Sequence, residues 1–297
     1  MLRVKNESGQ AVLIILLSLS VVLTIVLFIV SRSVTDISLS IKDEDSLRAF
    51  SAAEAGIEKA LLTGSATGNT LLGDASFNAS VTNYGQGVKN ISYPFPLNSG
   101  DEATFWFAEH DSEGLLTCAG GTCFTGSNIR FCWGESGTAV NALSPAIEAS
   151  VYYTSTAQDL TTLKVARIAI DPYTASRNPA NNFEAIGAGP CVIDGINFAF
   201  RKQYNLENAP YSIAGSSTTP GILQFVKIKM LYNTDRTHRV GIYLDLPGNT
   251  TLPKQGIKVD SLGKANQANR KVEVYKLFPE VPSIFDYAVF SKTGIVK

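Results

Sequence analysis

AVLIILLSLSVVLTIVLFIV, from Ala11 to Val30, holds no charge and no proline, and its only polar side chains are Ser18, Ser20 and Thr24. At ~1.5 Å of rise per residue, a helix of about 20 such residues matches the ~30 Å hydrocarbon core of a bilayer, and hydroxyls this short can bond back to their own backbone. The stretch reads as one transmembrane helix, 11–30. A buried core helix is the competing reading, but such helices are usually shorter and show a polar face. Arg3 and Lys5 precede the span against Glu7, so the positive-inside tendency puts the N-terminus in the cytoplasm and the remainder outside. Arg32 counts against this orientation; Asp36 and the run Asp43, Glu44, Asp45 count for it. A secretory signal fits less well. The apolar run exceeds the ~7–15 residues of a signal core, and Val30-Ser31-Arg32-Ser33 lacks a small-x-small cleavage site.

Nothing breaks the helix where the span ends, because the next glycine is Gly56 and the next proline Pro94. Val34, Ile37 and Ile41 form one apolar stripe at three-to-four spacing. Leu47, Phe50, Ala53, Ile57 and Leu61 form a second on a shifted face. Ala49, Ala52, Ala53, Ala55, Gly56 and Ala60 give this half a small surface suited to close backbone approach. Helix ends in the turn-rich Thr63-Gly64-Ser65-Ala66-Thr67-Gly68-Asn69. From Gln10 to Leu62 it would measure roughly 80 Å at ~1.5 Å per residue, about half of it beyond the bilayer. An isolated anchor needs no such arm, although a spacer, or a helix docked on its own domain, is the plainer explanation.

Together these residues resemble the N-terminus of type IV pilin-like proteins, in particular minor pilins of the PilX kind and the related tip pseudopilins of type II secretion. A short charged leader ends in Ser8-Gly9 and the apolar helix starts at once. After Ser31-Arg32-Ser33, the stretch Arg48-Ala49-Phe50-Ser51-Ala52-Ala53-Glu54-Ala55-Gly56-Ile57-Glu58 is similar to the alanine-rich element of PilX-like chains. The resemblance covers about residues 1–62. It implies that residues 1–9 are a leader cut after Gly9 by a prepilin peptidase, that Gln10 becomes the methylated first residue, and that residues 10–62 pack into a fibre core. Val34, Ile37, Ile41, Leu47, Phe50, Ala53, Ile57 and Leu61 are the packing candidates. Two positions depart from the pattern: Gln10 stands where phenylalanine is usual, and Ile14 where major pilins carry a glutamate thought to pair with a neighbour's terminal amine. The second departure points to a minor rather than a bulk subunit.

From about residue 70 to 297 the texture changes to alternating apolar positions with frequent glycine and asparagine. The fold class is therefore α+β: a long N-terminal transmembrane and amphipathic helix followed by a β-rich, mostly antiparallel head, in one lobe or two. Ile222, Val226, Ile228, Met230 and Tyr232 share one face of a strand, with Lys227 and Lys229 on the other. Val240, Ile242, Leu244 and Leu246 repeat the pattern after a polar gap, and two neighbouring antiparallel strands are the simplest inference. Val272–Val274 and Ile284–Phe290 follow. Earlier strands are expected at Ala103–Ala108, Asn128–Trp133, Ile147–Tyr153 and Leu163–Ile170, with turn-rich stretches at 171–190 and 208–221. A pilin-like arrangement would lay the last antiparallel sheet against the outer half of the helix.

Cys118, Cys123, Cys132 and Cys191 all follow the span and so share one compartment; if it oxidises, they can pair. Cys118 with Cys123 and Cys132 with Cys191 is one of three pairings. A zinc site would need two tight spacings, and these four do not supply them. A net charge of -1 with scattered lysines and arginines lacks the footprint of a nucleic-acid binder. The chain has two histidines. His110, in Glu109-His110-Asp111, reads as part of a polar loop rather than a base, since neighbours in an extended segment point apart. Gly134-Glu135-Ser136-Gly137 is no nucleophile elbow, because Thr138 stands at the final glycine position. Asp101-Glu102 and Asp43-Glu44-Asp45 read as solvated charges. Asn78, Asn90 and Asn249 head Asn-x-Ser/Thr triplets that occur often by chance. The reading is a non-enzymatic structural subunit of a pilus-like fibre without cofactor or metal, partnered by other pilin-like subunits, a prepilin peptidase and the membrane. It would initiate, cap or decorate the fibre, or mediate adhesion. The alternative is a permanently anchored extracytoplasmic binding or sensing domain.

Overall fold

A computed structural model of the chain describes residues 8–120, 122–177, 180–244 and 251–280. The helix α1 runs from Ser8 to Thr63 without interruption, about 84 Å at ~1.5 Å per residue. Strands follow in order: β1 (Thr67–Leu72), β2 (Ala75–Tyr84), β3 (Asn90–Ser92), β4 (Glu102–Trp106), β5 (Glu109–His110), β6 (Leu116–Thr117), β7 (Asn128–Glu135) and β8 (Ala146–Thr154). The later strands are β9 (Leu163–Asp171), β10 (Glu184–Ala185), β11 (Cys191–Ile193), β12 (Ile196–Asn205), β13 (Leu223–Leu231), β14 (Val240–Tyr243), β15 (Gly256–Ala265) and β16 (Ala268–Leu277). One helical turn, α2 (Thr174–Arg177), lies between β9 and β10. The anticipated strand at 284–290, with Leu246 and Asn249, lies outside the described residues.

The chain divides into two compact units. One comprises residues up to Val81 with Val259–Val274; the other comprises Thr82–Lys258 with the residues from Tyr275 onward. The expected head at 70–297 is thus shared between them, because its first and late hairpins group with the helix.

In the first unit α1 packs on a sheet of order β1-β2-β15-β16. Ala75, Phe77 and Ala79 alternate toward the helix, while Asn78 and Ser80 face away. Phe77 and Ala265 meet Ala49 and Ala52 in a small core. The approach is close because small residues stand on both sides. A Cβ on Gly263 would lie 1.9 Å from the carbonyl oxygen of Ala49 and 2.6 Å from the nitrogen of Ala53, and one on Gly56 would lie 2.2 Å from Ser261 Oγ. An antiparallel sheet on the outer half of the helix is what the sequence suggests, but this one joins a hairpin from each end of the strand region.

In the second unit two five-stranded sheets, β10-β9-β8-β13-β4 and β11-β12-β7-β14-β3, face each other as a sandwich. One apolar cluster unites their inner faces: Phe105, Ile147, Val151, Ile168, Val226 and Ile228 from the first sheet, Ile91, Phe131, Trp133, Phe200, Val240 and Ile242 from the second. Buried Trp133 donates its indole N–H to the carbonyl of Pro145 at 2.7 Å, so its polar atom is satisfied.

The strands around 222–232 and 240–244 exist, but they are not neighbours. β13 lies between β8 and β4, and β14 between β7 and β3, so residues 233–239 cross from one sheet to the other. Buried Asn233 holds the crossing by donating to the carbonyls of Leu97 and Arg236. Tyr232, expected on the inner face, instead turns out of the strand with φ 69° and stacks on Arg177. Glu102 is not a solvated charge either. It pairs with Lys227 at 2.8 Å and Lys229 at 3.3 Å, and Lys227 is itself buried.

Candidate functional site

The residues singled out for assembly lie on α1. From Ala11 to Val30 the helix is exposed on every side and apolar all round, as a membrane span requires; this is one N-terminal helix long and apolar enough to cross a bilayer. Ser18, Ser20 and Thr24 donate to the carbonyls of Ile15, Leu17 and Ser20 at 2.7–2.9 Å, so no hydroxyl in the span lacks an acceptor. Gly9 and Gln10 fall at the start of α1.

Beyond the span the apolar residues separate by face. Val34, Ile37, Ile41, Leu47 and Phe50 stay exposed, Leu47 by 68%. Ala53 and Ile57 are buried and Leu61 is half-buried. The second predicted stripe is therefore split: its lower part looks outward, while Ala53 and Ile57 are covered. The covered face is Ala49, Ala52, Ala53, Gly56, Ile57 and Ala60, at the three-to-four spacing of one side of a helix. Leu39 is also exposed and apolar, on the side of the helix opposite Ile37 and Ile41.

Charged residues around this segment pair locally. Arg48 contacts Glu44 at 2.5 Å, one helical turn away, and Asn266 donates to Asp45 at 2.8 Å. Arg270 Nε donates to Ser46 Oγ at 2.8 Å. Between the β15–β16 hairpin and α1 runs an open groove of about 1000 Å³, lined by Val34, Ile37 and Ile41 on one wall and Asn266–Arg270 on the other, with Lys42 and Asp45. Sequence reading did not anticipate it. The available signal was Asn266, whose φ of 47° makes the turn and which asparagine tolerates better than most residues.

In the sandwich the cysteines form two disulfides, Cys118–Cys123 and Cys132–Cys191. The second ties β7 to β11, two strands that do not pair. Cys132, Cys191, Ile193 and Phe198 make a separate small core, and Asp194 in the β11–β12 turn accepts from the backbone and hydroxyl of Ser92. The hairpin is thereby folded back over its own sheet.

His110 does not sit in a polar loop. It stacks on Phe278 at 3.8 Å between ring centres and meets the Trp106 ring edge-on at 4.5 Å. Burial lowers its pKa, partly opposed by Asp111. His238, 1% exposed, lies at the sheet crossing with Nδ1 3.6 Å from Glu135, too far for a hydrogen bond. Burial lowers its pKa too; the Glu135 carboxylate pulls the other way. The two imidazoles serve different clusters, and neither stands beside a nucleophile in hydrogen-bonding geometry among the described residues.

Comparison with protein-family models, with curated proteins and with solved structures finds no match for this chain.

Proposed function

We propose that this chain is a minor-pilin-like structural subunit: α1 holds it in the membrane and then transfers into the helical core of a fibre, while the β-rich part is carried outside. The observation that carries the reading is the exposed apolar surface of α1 past the span. Val34, Ile37, Leu39, Ile41, Leu47 and Phe50 extend an apolar surface about 30 Å beyond Val30 at ~1.5 Å per residue, which a simple anchor does not require. The pilin-like leader and alanine-rich element in residues 1–62 support it. Because Ala49, Ala52, Ala53, Gly56, Ile57 and Ala60 lie on the covered face, it is the exposed Val34, Ile37, Leu39, Ile41, Leu47 and Phe50 that would remain available to other pilin-like subunits. Ile14, in place of a carboxylate, favours a subunit that initiates, caps or decorates the fibre, and any adhesion would fall to the sandwich.

The test is N-terminal peptide and intact-mass analysis of protein from its native membrane, with and without the prepilin peptidase. A chain starting at methylated Gln10, dependent on the peptidase, is the expected result. A chain that keeps residues 1–9 in both strains overturns the reading and leaves a permanent anchor carrying a binding or sensing domain.

A further inference from the structure

Strand register orders the outer face of the sheet β10-β9-β8-β13-β4 into rows. Val165 on β9 stands beside Tyr152 on β8, Tyr152 beside Phe225 on β13, and Phe225 beside Trp106 on β4. Two residues along each strand, the next row on that face is Arg167, Ser150, Lys227 and Thr104. The first row is apolar and mostly aromatic. The second carries two cations and no carboxylate, and the acids that pair them, Glu148 and Glu102, stand one row further on.

The aromatic row continues past β4, where His110 meets Trp106 edge-on and Phe278 stacks on His110. Tyr152 and Phe225 also lie ring on ring, 4.3 Å apart and 19° from parallel. These rings use their faces on one another and turn their edges outward, so the row is not shaped as a platform for stacking a sugar. It suits an apolar cover, and Val165 at its far end is 42% exposed.

The chain itself leads to this face. After Phe278 it reaches Glu280, whose carboxylate accepts from the Thr104 backbone N–H and from the Tyr93 hydroxyl, the latter at 3.3 Å. Two residues thereby carry it along β4 from the first row to the second. Further strand pairing is blocked there, because Gln255 occupies both backbone groups of Trp106 and Glu280 the N–H of Thr104. Passage over the face is the course left open. Three inter-strand steps of ~4.8 Å put β9 about 14 Å from β4, and residues 284–290, fully extended at ~3.3 Å each, reach about 23 Å. Extended, Ile284-Phe285-Asp286-Tyr287-Ala288-Val289-Phe290 would turn Phe285, Tyr287 and Val289 to one side and its single charge, Asp286, to the other.

We propose that residues 284–290 cross the outer face of this sheet from β4 toward β9, with Phe285, Tyr287 and Val289 on the row of Trp106, Phe225 and Tyr152, and Asp286 against Lys227 and Arg167. The occupant is a segment of this chain, and the proposal stands or falls separately from fibre assembly.

The experiment uses the full chain in detergent, with the photo-crosslinker benzoylphenylalanine in place of Phe285. Irradiation should join residue 285 to peptides of β4, β8 or β13 in a product of monomer mass. A product of dimer mass, which would make a second copy the occupant, or a monomer with no crosslink to those strands, overturns the proposal. Acrylamide quenching supplies a second readout, because Trp133 is fully buried and Trp106 lies under the proposed cover. Quenching should rise in Phe285→Ser/Tyr287→Ser, and quenching equal to that of the unaltered chain overturns the proposal as well.

Discussion

Gly263→Val tests whether α1 is held to its sheet by a contact that admits no side chain. The Cβ of any other residue there would stand 1.9 Å from the Ala49 carbonyl oxygen, where ordinary contact begins near 3.4 Å. The atoms in the way are helix backbone, which no rotamer change can move aside. Helix and strand must separate by more than an ångström, and that gap would also strip Phe77 and Ala265 from Ala49 and Ala52. Overpacking ordinarily costs about 1–3 kcal/mol, and a clash with backbone belongs at the top of that range. A loss of about 3 kcal/mol accelerates exchange from the opened state roughly a hundredfold. Hydrogen–deuterium exchange in detergent reads this directly: amides of Ala49–Ala60 and Val259–Ala265 should exchange about two decades faster, while β8 and β13 in the sandwich keep their protection. Gly68→Ala, where a Cβ would meet nothing within 4 Å, is the control. Unchanged protection at Ala49–Ala60 in Gly263→Val would refute the close-packed account of this unit.

Two further outcomes follow from the sandwich. Gln255 is buried and its amide serves both backbone groups of Trp106 on the open edge of β4, accepting at 2.7 Å and donating at 2.9 Å. Gln255→Ala leaves both without a partner, a cost of about 2–5 kcal/mol, and should lower Tm by about 5–15 °C in a thermal melt; a shift under 2 °C would contradict this. Both histidines have depressed pKa values in the fold, so stability is fully present above the ordinary histidine value of about 6.5 and declines as pH falls below it, because only the unfolded chain takes up the protons readily. Denaturant midpoints should be level from pH 8 to 7 and fall between pH 6.5 and 5.5, with a smaller fall in His238→Asn. Glu280 works in the opposite sense, since burial raises its carboxyl, and a midpoint that rises toward pH 5.5 would mean it outweighs the imidazoles.

Legibility in the sequence followed how local the governing physics was. The span needs only length and apolarity, and the long strands β7, β8, β9 and β13 announce themselves by alternation and β-branched residues. The pairing of β13 with β14 was misread because a polar gap of seven residues looks the same whether the chain turns back beside its last strand or crosses to a second sheet. What separates the two is Asn233, whose side-chain bonds to Leu97 and Arg236 have no local signature. β2 and β15 were passed over because serine, asparagine and glycine dilute them, yet those small residues are what lets the helix come close. Glu102 looked solvated because its cationic partners lie more than a hundred positions away.

On α1 beyond the span, the residues its own sheet covers differ from those left exposed. A helix buries what fits its neighbour, and where its own sheet comes closest, at Gly263 and Ser261, α1 presents Ala49, Ala53 and Gly56, with Ile57 covered beside them. Leu47 and Phe50 sit within one turn of Ala49 and Ala53 and still remain exposed, so the intramolecular contact selects against the residues with the most apolar area to bury. Those residues keep their driving force for an occupant outside the chain. If α1 crosses a bilayer, the residues next to the span meet lipid; if it enters a fibre as proposed, they meet the helices of neighbouring subunits. In either setting the face of Ala49, Ala52, Ala53 and Gly56 stays on its sheet, so the proposed transfer would not require the first unit to unfold.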